Sequence, residues 1–237
     1  MTFDPNHFDK LFENLERFSP EIDESDLYEP PIQTLASSSP HPQLSNSNIR
    51  FLSQNVNKSN AVTHSLLNSC GHLTDIFFIQ EPWFNRIGID IQTGIDKIGV
   101  PNHPHFNHVT SDSTPEHKPD VAAYFPKSHP GWNIQPRSDI ISHPSILLLE
   151  ITFQSHTLYA INVYNPSDSS TLIPLYSALS KLHNHETIVT GDFNLHHPLW
   201  SKEEHDHKIS SESENLTTWM TNKGFSLINE KGIITFF

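Results

Sequence analysis

Several apolar runs in this sequence end in polar side chains that can perform acid–base or metal chemistry. Asn55 follows the run that begins at Phe51, Glu81 follows IFFIQ, Tyr164 ends YAINVY, and IVTG leads into Asp192 and Asn194. A carboxylate can bind a hard cation or accept a proton from water. A neutral amide can donate hydrogen bonds to an anion without adding charge repulsion. These residues are therefore candidates for a catalytic or metal-binding site.

The apolar runs before these residues predict β-strands, and strand ends present functional groups on a rigid support. A single carboxylate after a strand is more often a solvated loop residue than a catalytic one. Four strand ends of this kind in one order are harder to explain by chance. We therefore expect the four ends to converge.

The fragments around these residues resemble the motifs of a known superfamily. They are QNVN, FIQEPW, NVYNPSD and GDFNLHHPLW, of which the last is the most specific. They are similar to the motifs of the endonuclease/exonuclease/phosphatase superfamily, in particular the endonuclease domain of LINE-type (non-LTR) retrotransposons. The resemblance covers residues 49–237.

The resemblance implies a role for each residue. Glu81 would be the main ligand of Mg²⁺ or Mn²⁺, and Asn55 would lie beside the metal and the scissile phosphate. Tyr164 would contact the phosphate and Asn194 would bind its oxygens. Asp192 would activate or orient the attacking water. The implied substrate is DNA.

Three further residues belong to the predicted substrate-binding set. Ser167 stands where some relatives have an asparagine that helps to hold the phosphate, and a serine would hold it less well. His196 and His197 follow the GDFN turn and are interpreted as structural or substrate-facing. Trp83, next to Glu81 and Pro82, is more readily explained by core packing than by stacking on a base.

The resemblance also implies a catalytic Ser-Asp-His run after a further strand, and no such triplet occurs in this chain. We therefore expect a C-terminally incomplete domain that lacks the last strands of its sandwich. The loss of a key catalytic group commonly reduces a rate by several orders of magnitude.

Other histidine clusters are weaker candidates for a metal site. His205 and His207 could bind zinc as a pair, but two ligands in a polar segment make a weak site. The PNHPHFNH run contains His103, His105 and His108 and is interpreted as a polar loop. No cysteine motif joins these histidines.

Composition separates an N-terminal segment from the rest. Residues 1–48 hold nine acids and two bases, a charge of −7 out of the total of −13. They predict one short helix followed by a disordered linker rich in Pro and Ser. The lone Cys70 indicates a reducing compartment, and no run approaches the length of a membrane span. We expect an intracellular protein, and the resemblance implies the nucleus; oligomeric state stays open.

From residue 49 onward, strand patterns alternate with a few helices, and both hairpins and crossovers are predicted. Predicted strands include SILLLEITF and TLYAINVYN, joined by a short turn, and finally SLIN and GIITFF. This pattern indicates an α+β fold with two packed sheets and helices outside. Together with the resemblance, it predicts a four-layer α/β/β/α sandwich of two mixed β-sheets with its last strands missing.

Three functions remain open on this evidence. The first is a Mg²⁺-dependent endonuclease that nicks one DNA strand. The second is an inactive relic with residual metal or nucleic-acid binding, which the absent Ser-Asp-His run favours. The third is a phosphatase of the same fold, against which the LHHP run argues. The absence of a Lys/Arg cluster argues against tight unspecific DNA binding.

Overall fold

The computed structural model describes residues 49–229 and 231, apart from 90, 93, 95, 114–116, 129, 130, 154 and 202–208. The predicted N-terminal helix, the histidine pair at 205 and 207, and the predicted strand GIITFF lie outside the described residues. In the described part of the chain, no helix is long and apolar enough to cross a membrane.

The first sheet contains four strands and combines parallel with antiparallel pairing. Strand β1 (Phe51–Asn55) pairs in parallel with β2 (Ile76–Gln80). Strand β6 (Val121–Pro126) pairs antiparallel with β2 and with the edge strand β5 (Phe106–Thr110). The order is therefore β1-β2-β6-β5.

The second sheet has the same pairing pattern. Strands β7 (Trp132–Pro136), β8 (Ile146–Phe153) and β9 (His156–Tyr164) form an antiparallel series, and the predicted β8–β9 hairpin is confirmed. Strand β10 (Thr187–Asp192) adds in parallel to β9, which gives the order β10-β9-β8-β7. Each sheet thus has one parallel pair at one side.

The two sheets pack face to face through alternate side chains of their central strands. Buried residues from both sheets form one apolar cluster: Ile76, Phe78, Val121, Ala123, Leu147, Leu149, Ile151 and Ala160. Strands alternate their side chains between faces, so the other residues of the same strands point outward. The apolar residues on the outer faces must also be buried, which explains why helices pack on the outer face of each sheet.

Helix α1 (Asn60–Cys70) covers the first sheet, where its buried Leu67 packs in a cluster with Phe77 and Tyr124. Helix α2 (Leu172–Lys181) and helix α3 (Ser211–Asn222) cover the second. Leu175 and Leu179 of α2 and Trp219 of α3 pack in a cluster with β8 and β9 residues. The predicted α+β fold of two mixed sheets with helices outside is confirmed.

Helices α1 and α2 are also the crossovers of the two parallel pairs. Helix α1 connects β1 to β2, and α2 connects β9 to β10. A parallel pair requires such a crossover. The Ser59 side chain caps α1 by accepting a hydrogen bond from the Val62 amide, and Ser210 forms a reciprocal capping box with Ser213 at α3.

Several elements differ from the sequence-based expectation. Strands β3 (Asn85–Ile89) and β4 (Asp96–Gly99) form a separate two-stranded ribbon, and neither they nor β5 and β7 were predicted. Their burial patterns show no clean alternation, because they lie at edges and carry many polar residues. Conversely, the predicted strand at 226–229 is irregular in the structure. The PNHPHFNH run is a loop only up to His105, because β5 begins at Phe106.

Candidate active site at the strand ends

In both parallel pairs, the predicted site residues lie at or directly after the carboxyl ends of the strands. The register pairs Asn55 with Gln80, the residue before Glu81, and pairs Asp192 with Tyr164. The carboxyl ends of parallel strands meet at one edge of a sheet. Strand β10 also contacts β1 and β2 across the sandwich, so the two edges adjoin.

The Asn55 side chain joins the two halves of the site. Its amide Nδ2 donates hydrogen bonds to Glu81 Oε1 and to Asp192 Oδ2, both at 2.9 Å. Its Oδ1 accepts a hydrogen bond from the Asn57 backbone N–H at 2.8 Å. One amide therefore holds a carboxylate from each sheet. Asn55, Glu81 and Asp192 thus converge in the structure, as predicted.

Glu81 lies in a bend directly after β2 with a positive φ of 47°. Its backbone N–H donates to the Asp120 carbonyl at 2.9 Å, and its own carbonyl accepts from the Lys58 N–H at 2.7 Å. The Lys58 ammonium lies 3.8 Å from Glu81 Oε2. These contacts explain how Glu81, a residue of the candidate site, is held in a left-handed conformation that costs about 1–2 kcal/mol.

The turn after β10 holds Asp192 and Asn194 through its own backbone. The Asn194 N–H donates to Asp192 Oδ1 at 3.0 Å, and the Asn194 side chain donates to the Asn165 carbonyl at 2.8 Å. Asn165 is fully buried, and its side chain donates to the Phe193 carbonyl at 2.8 Å. The Asp192 carboxylate is thus oriented by donors on both of its oxygens and is itself buried.

Tyr164 completes the group that the structure brings together. Burial raises the pKa of its phenol to about 12, and the nearby carboxylate of Glu81, to which the phenol is hydrogen-bonded, contributes in the same direction, as do Asp192 and Asp120. An anionic phenolate is disfavoured beside carboxylates. Tyr164 therefore acts as a neutral hydrogen-bond donor at neutral pH.

This environment predicts a measurable shift in the titration of Tyr164. In a metal-free solution, the absorbance difference at 295 nm between the native chain and a Tyr164→Phe variant should report a midpoint near 12 rather than 10. Because the pKa is raised by folding, the associated stability is complete below pH 10 and is lost as the pH approaches about 12. A midpoint at 10 would contradict both the burial of the phenol and its contact with Glu81.

The remaining substrate-binding candidates differ in their exposure. Ser167 is exposed in the loop after β9, and His196 is partly buried. His197 is buried; its Nδ1 accepts from the Leu199 N–H, and its Nε2 lies 3.6 Å from Glu214 Oε1 of α3. This favours the structural interpretation of His197, while substrate contacts of Ser167 and His196 stay predictions.

The histidines of the PNHPHFNH run lie apart from the strand-end site. Burial lowers the pKa of His103, whose Nε2 contacts the Asn68 side chain of α1 at 3.1 Å. Across the described residues, no group of three His, Cys, Asp or Glu side chains is arranged to hold a metal ion.

Two residues near the site were missed by the sequence analysis. Asp120 precedes β6, and its carbonyl accepts from Glu81 while its carboxylate accepts from the Ser145 hydroxyl at 2.6 Å. Asn162 is fully buried in β9 and donates to the Ile79 carbonyl of the other sheet at 3.0 Å. Asp120 precedes its strand instead of following it, and Asn162 lies inside an apolar run, so neither is a polar residue that follows an apolar strand.

The donor set fits a hard divalent cation. Glu81 and Asp192 are carboxylates that converge on a single amide nitrogen, which brings their oxygens within a few ångströms of one another. Hard cations such as Mg²⁺ prefer such oxygens and keep several waters. With only two carboxylates in the group, a cation would complete its coordination with water and substrate oxygens. Ligation by Asn55 stays a prediction, because its Oδ1 already accepts from Asn57.

Comparison with known proteins yields one family match and several structural neighbours. Residues 158–236 match the family described as Endonuclease-reverse transcriptase. The endonuclease domain of TRAS1, a telomere-specific non-LTR retrotransposon, superposes with a TM-score of 0.61 at 14% identity and covers 78% of this chain and 75% of that chain. An AP endonuclease from Archaeoglobus fulgidus has a TM-score of 0.46 at 15% identity, covering 76% and 72%.

Compared by sequence with curated proteins, the chain has no match. The structural neighbours are too distant in sequence to establish more than a fold. The family match is independent of them and includes Tyr164, Asp192 and Asn194. Residues 158–236 are therefore similar to that endonuclease family, and the fold of the described residues is similar to that of the TRAS1 endonuclease domain.

Proposed function

We propose that this chain hydrolyses phosphodiester bonds of DNA and nicks one strand, with Mg²⁺ or Mn²⁺ as its cofactor. The observation that carries the proposal is the convergence of Glu81 and Asp192, one from each sheet, on the amide of Asn55. Both the family match and the TRAS1 neighbour are endonucleases by description. Nuclear DNA is the substrate that this resemblance implies.

Each residue of the site would have its own role in the hydrolysis. The buried Asp192 carboxylate is held by Asn55 and by the Asn194 N–H, so it can orient a water molecule and accept its proton. Tyr164 remains a neutral donor and can hydrogen-bond a phosphate oxygen without adding repulsion. The Asn194 amide can do the same if it exchanges its bond to the Asn165 carbonyl for the phosphate.

Glu81, with Asp192 beside it, would hold the cation. When bound, a divalent cation neutralises charge that develops on the phosphate and leaving oxygens. Lys58 lies 3.8 Å from Glu81 Oε2 and is largely exposed, so its ammonium is available to a phosphate at the same place. The acidity of the chain is compatible with such a site, since the carboxylates themselves require a counter-charge.

A plasmid assay with metal removal tests the proposal. In Mg²⁺ or Mn²⁺, we expect supercoiled plasmid to become open circles before linear DNA appears, because each event cuts one strand. Excess EDTA should abolish the nicking, and restored Mg²⁺ should recover it. A chromogenic phosphomonoester in the same buffer tests the alternative of a phosphatase, for which turnover of the monoester without nicking is expected.

The matched control is a Glu81→Ala variant purified in the same way. Nicking that survives in this variant comes from a contaminating nuclease. If the native chain nicks no plasmid in either metal, the alternative of an inactive relic is supported. Calorimetric titration with Mn²⁺ would then show whether the Glu81 site still binds metal.

A further inference from the structure

A second group of polar residues borders the candidate site on the side of the first sheet. Its centre is Asp120, whose backbone carbonyl accepts from the Glu81 N–H at 2.9 Å. Its carboxylate Oδ2 accepts from the Ser145 hydroxyl at 2.6 Å and faces His117 Nδ1 at 3.7 Å. None of these residues belongs to the motifs that identify the superfamily in this chain.

Asp120 also connects the two sheets at the site. Its N–H donates to the Pro144 carbonyl at 2.9 Å, and the carbonyl of the next residue, Ser145, accepts from the Tyr164 N–H at 2.9 Å. The Asp120 charge contributes to the raised pKa of Tyr164, so its carboxylate lies within electrostatic range of that phenol. A continuous chain of contacts therefore runs from His117 through Asp120 to Tyr164.

The segment that carries His117 lies alongside the segment after Glu81. The Lys118 ammonium lies over the Phe84 ring, 5.9 Å from its centroid, and two residues later Asp120 receives the Glu81 N–H. His117 is about half exposed, so one side of its ring is open to solvent at the edge of the site. A DNA strand positioned at Glu81 has this segment as a neighbour.

The hydrogen bonds of His117 define which of its nitrogens is available. Nδ1 lies 2.8 Å from the Lys118 carbonyl and faces Asp120, both of which are acceptors, so Nδ1 carries a proton. Nε2 then points away from the pair. In a doubly protonated ring, Nε2 is a donor as well. His143 belongs to the same group, and burial lowers the pKa of its ring, while the neighbouring Asp120 opposes this.

We propose that His117 contacts a phosphodiester of the bound strand as a hydrogen-bond donor, and that Asp120 is a positioning residue that orients its ring. This inference rests on the proposed function for the nature of the ligand. Asp–His pairing supports the role because a fixed, charge-assisted donor binds a phosphate oxygen more strongly than a freely rotating one. Lys58 lies near Glu81 and Lys118 lies over the Phe84 ring, so both add positive charge near the segment that follows β2.

Kinetics on the full chain test the catalytic part of this proposal. The variants are His117→Gln and Asp120→Asn, and the matched control is His156→Gln, an exposed histidine at the opposite end of β9 from Tyr164. Because the contact is proposed for the bound strand and its transition state, His117→Gln should reduce kcat/KM about 10- to 100-fold. Asp120→Asn should reduce kcat/KM less, and the double variant should lose no more than His117→Gln alone. His156→Gln should match the native chain.

Binding provides a readout that does not require turnover. The probe is a thymidine dinucleotide with one phosphodiester, added while the imidazole resonances are followed by NMR. The His117 resonance is assigned by its absence in His117→Gln. We expect it to shift in a saturable manner, and the His156 resonance to stay in place.

The two arms separate this proposal from the proposed function. If Glu81→Ala abolishes nicking but both His117→Gln and Asp120→Asn cut at the native rate, the His117 proposal is overturned and the nuclease function stands. If the native chain does not nick, the nuclease function fails, and the dinucleotide decides: a saturable shift at His117 supports phosphodiester binding there, and no shift overturns it.

Discussion

An Asp192→Asn variant is expected to nick DNA about 10²- to 10⁴-fold more slowly than the native chain, because it loses the base that accepts the proton of the attacking water. The carboxylate accepts hydrogen bonds on both oxygens, from Asn55 Nδ2 and from the Asn194 N–H. An amide at this position must turn its own NH₂ toward one of these donors. The variant therefore also weakens the clamp that joins the two sheets at the site.

Single-turnover nicking of a plasmid at saturating Mg²⁺ measures this effect, because saturation separates the lost base from weaker metal binding. Asp139→Asn is the matched control. Asp139 is largely exposed and pairs with Arg137 after β7, where an exposed ion pair contributes little to stability. It should nick at the native rate. An Asp192→Asn variant that keeps its far-ultraviolet spectrum and cuts within threefold of the native rate would remove Asp192 from the role of base.

The site was predictable from sequence to the extent that its residues follow buried strands. Asn55, Glu81 and Asp192 each come at or after the end of an apolar run, and parallel pairing then brings such ends together. The sequence pattern indicates which residues end strands. It contains no information on which strands from different sheets adjoin, so the shared amide of Asn55 was not predictable in detail.

The missed features have a common physical cause. Strands β3, β5 and β7 are short and only partly buried, so their side chains do not show the period-two pattern that identifies a strand. Asp120 precedes its strand, where a carboxylate is usually solvated, and becomes part of the site only because β6 runs antiparallel to β2. A residue at the start of β6 thus lies beside one at the end of β2.

The arrangement of the two sheets explains why the site is formed at this place. Each sheet contributes one parallel pair whose strands are joined by a helix, β1-α1-β2 and β9-α2-β10. The sequence shows no internal repeat, yet both halves present polar residues at equivalent ends. The site therefore depends on both parallel pairs, and disruption of either pair should remove it as a unit.

Gly191→Ala is expected to lower the free energy of unfolding by at least about 3 kcal/mol, more than alanine at either Gly224 or Gly88. Gly191 has a φ of 140° and pairs with Val163 in the β9–β10 ladder. A Cβ at this position would lie 1.9 Å from the Val163 carbonyl oxygen and 2.7 Å from its nitrogen. Both obstacles are backbone atoms, so no side-chain rotation relieves them and the strands must separate.

Two other glycines separate the effect of a positive φ from the effect of a clash with backbone atoms. Gly224 has a φ of 80° but open space around its Cβ position, so Gly224→Ala should cost only about 1 kcal/mol of conformational strain. Gly88 has neither a positive φ nor a close neighbour, so Gly88→Ala should change stability by no more than about 0.5 kcal/mol. Urea unfolding followed by tryptophan fluorescence measures all three. Because Asp192 is the next residue, Gly191→Ala should also abolish nicking. Equal losses of stability in Gly191→Ala and Gly224→Ala would mean that β10 does not pair with β9 as closely as described.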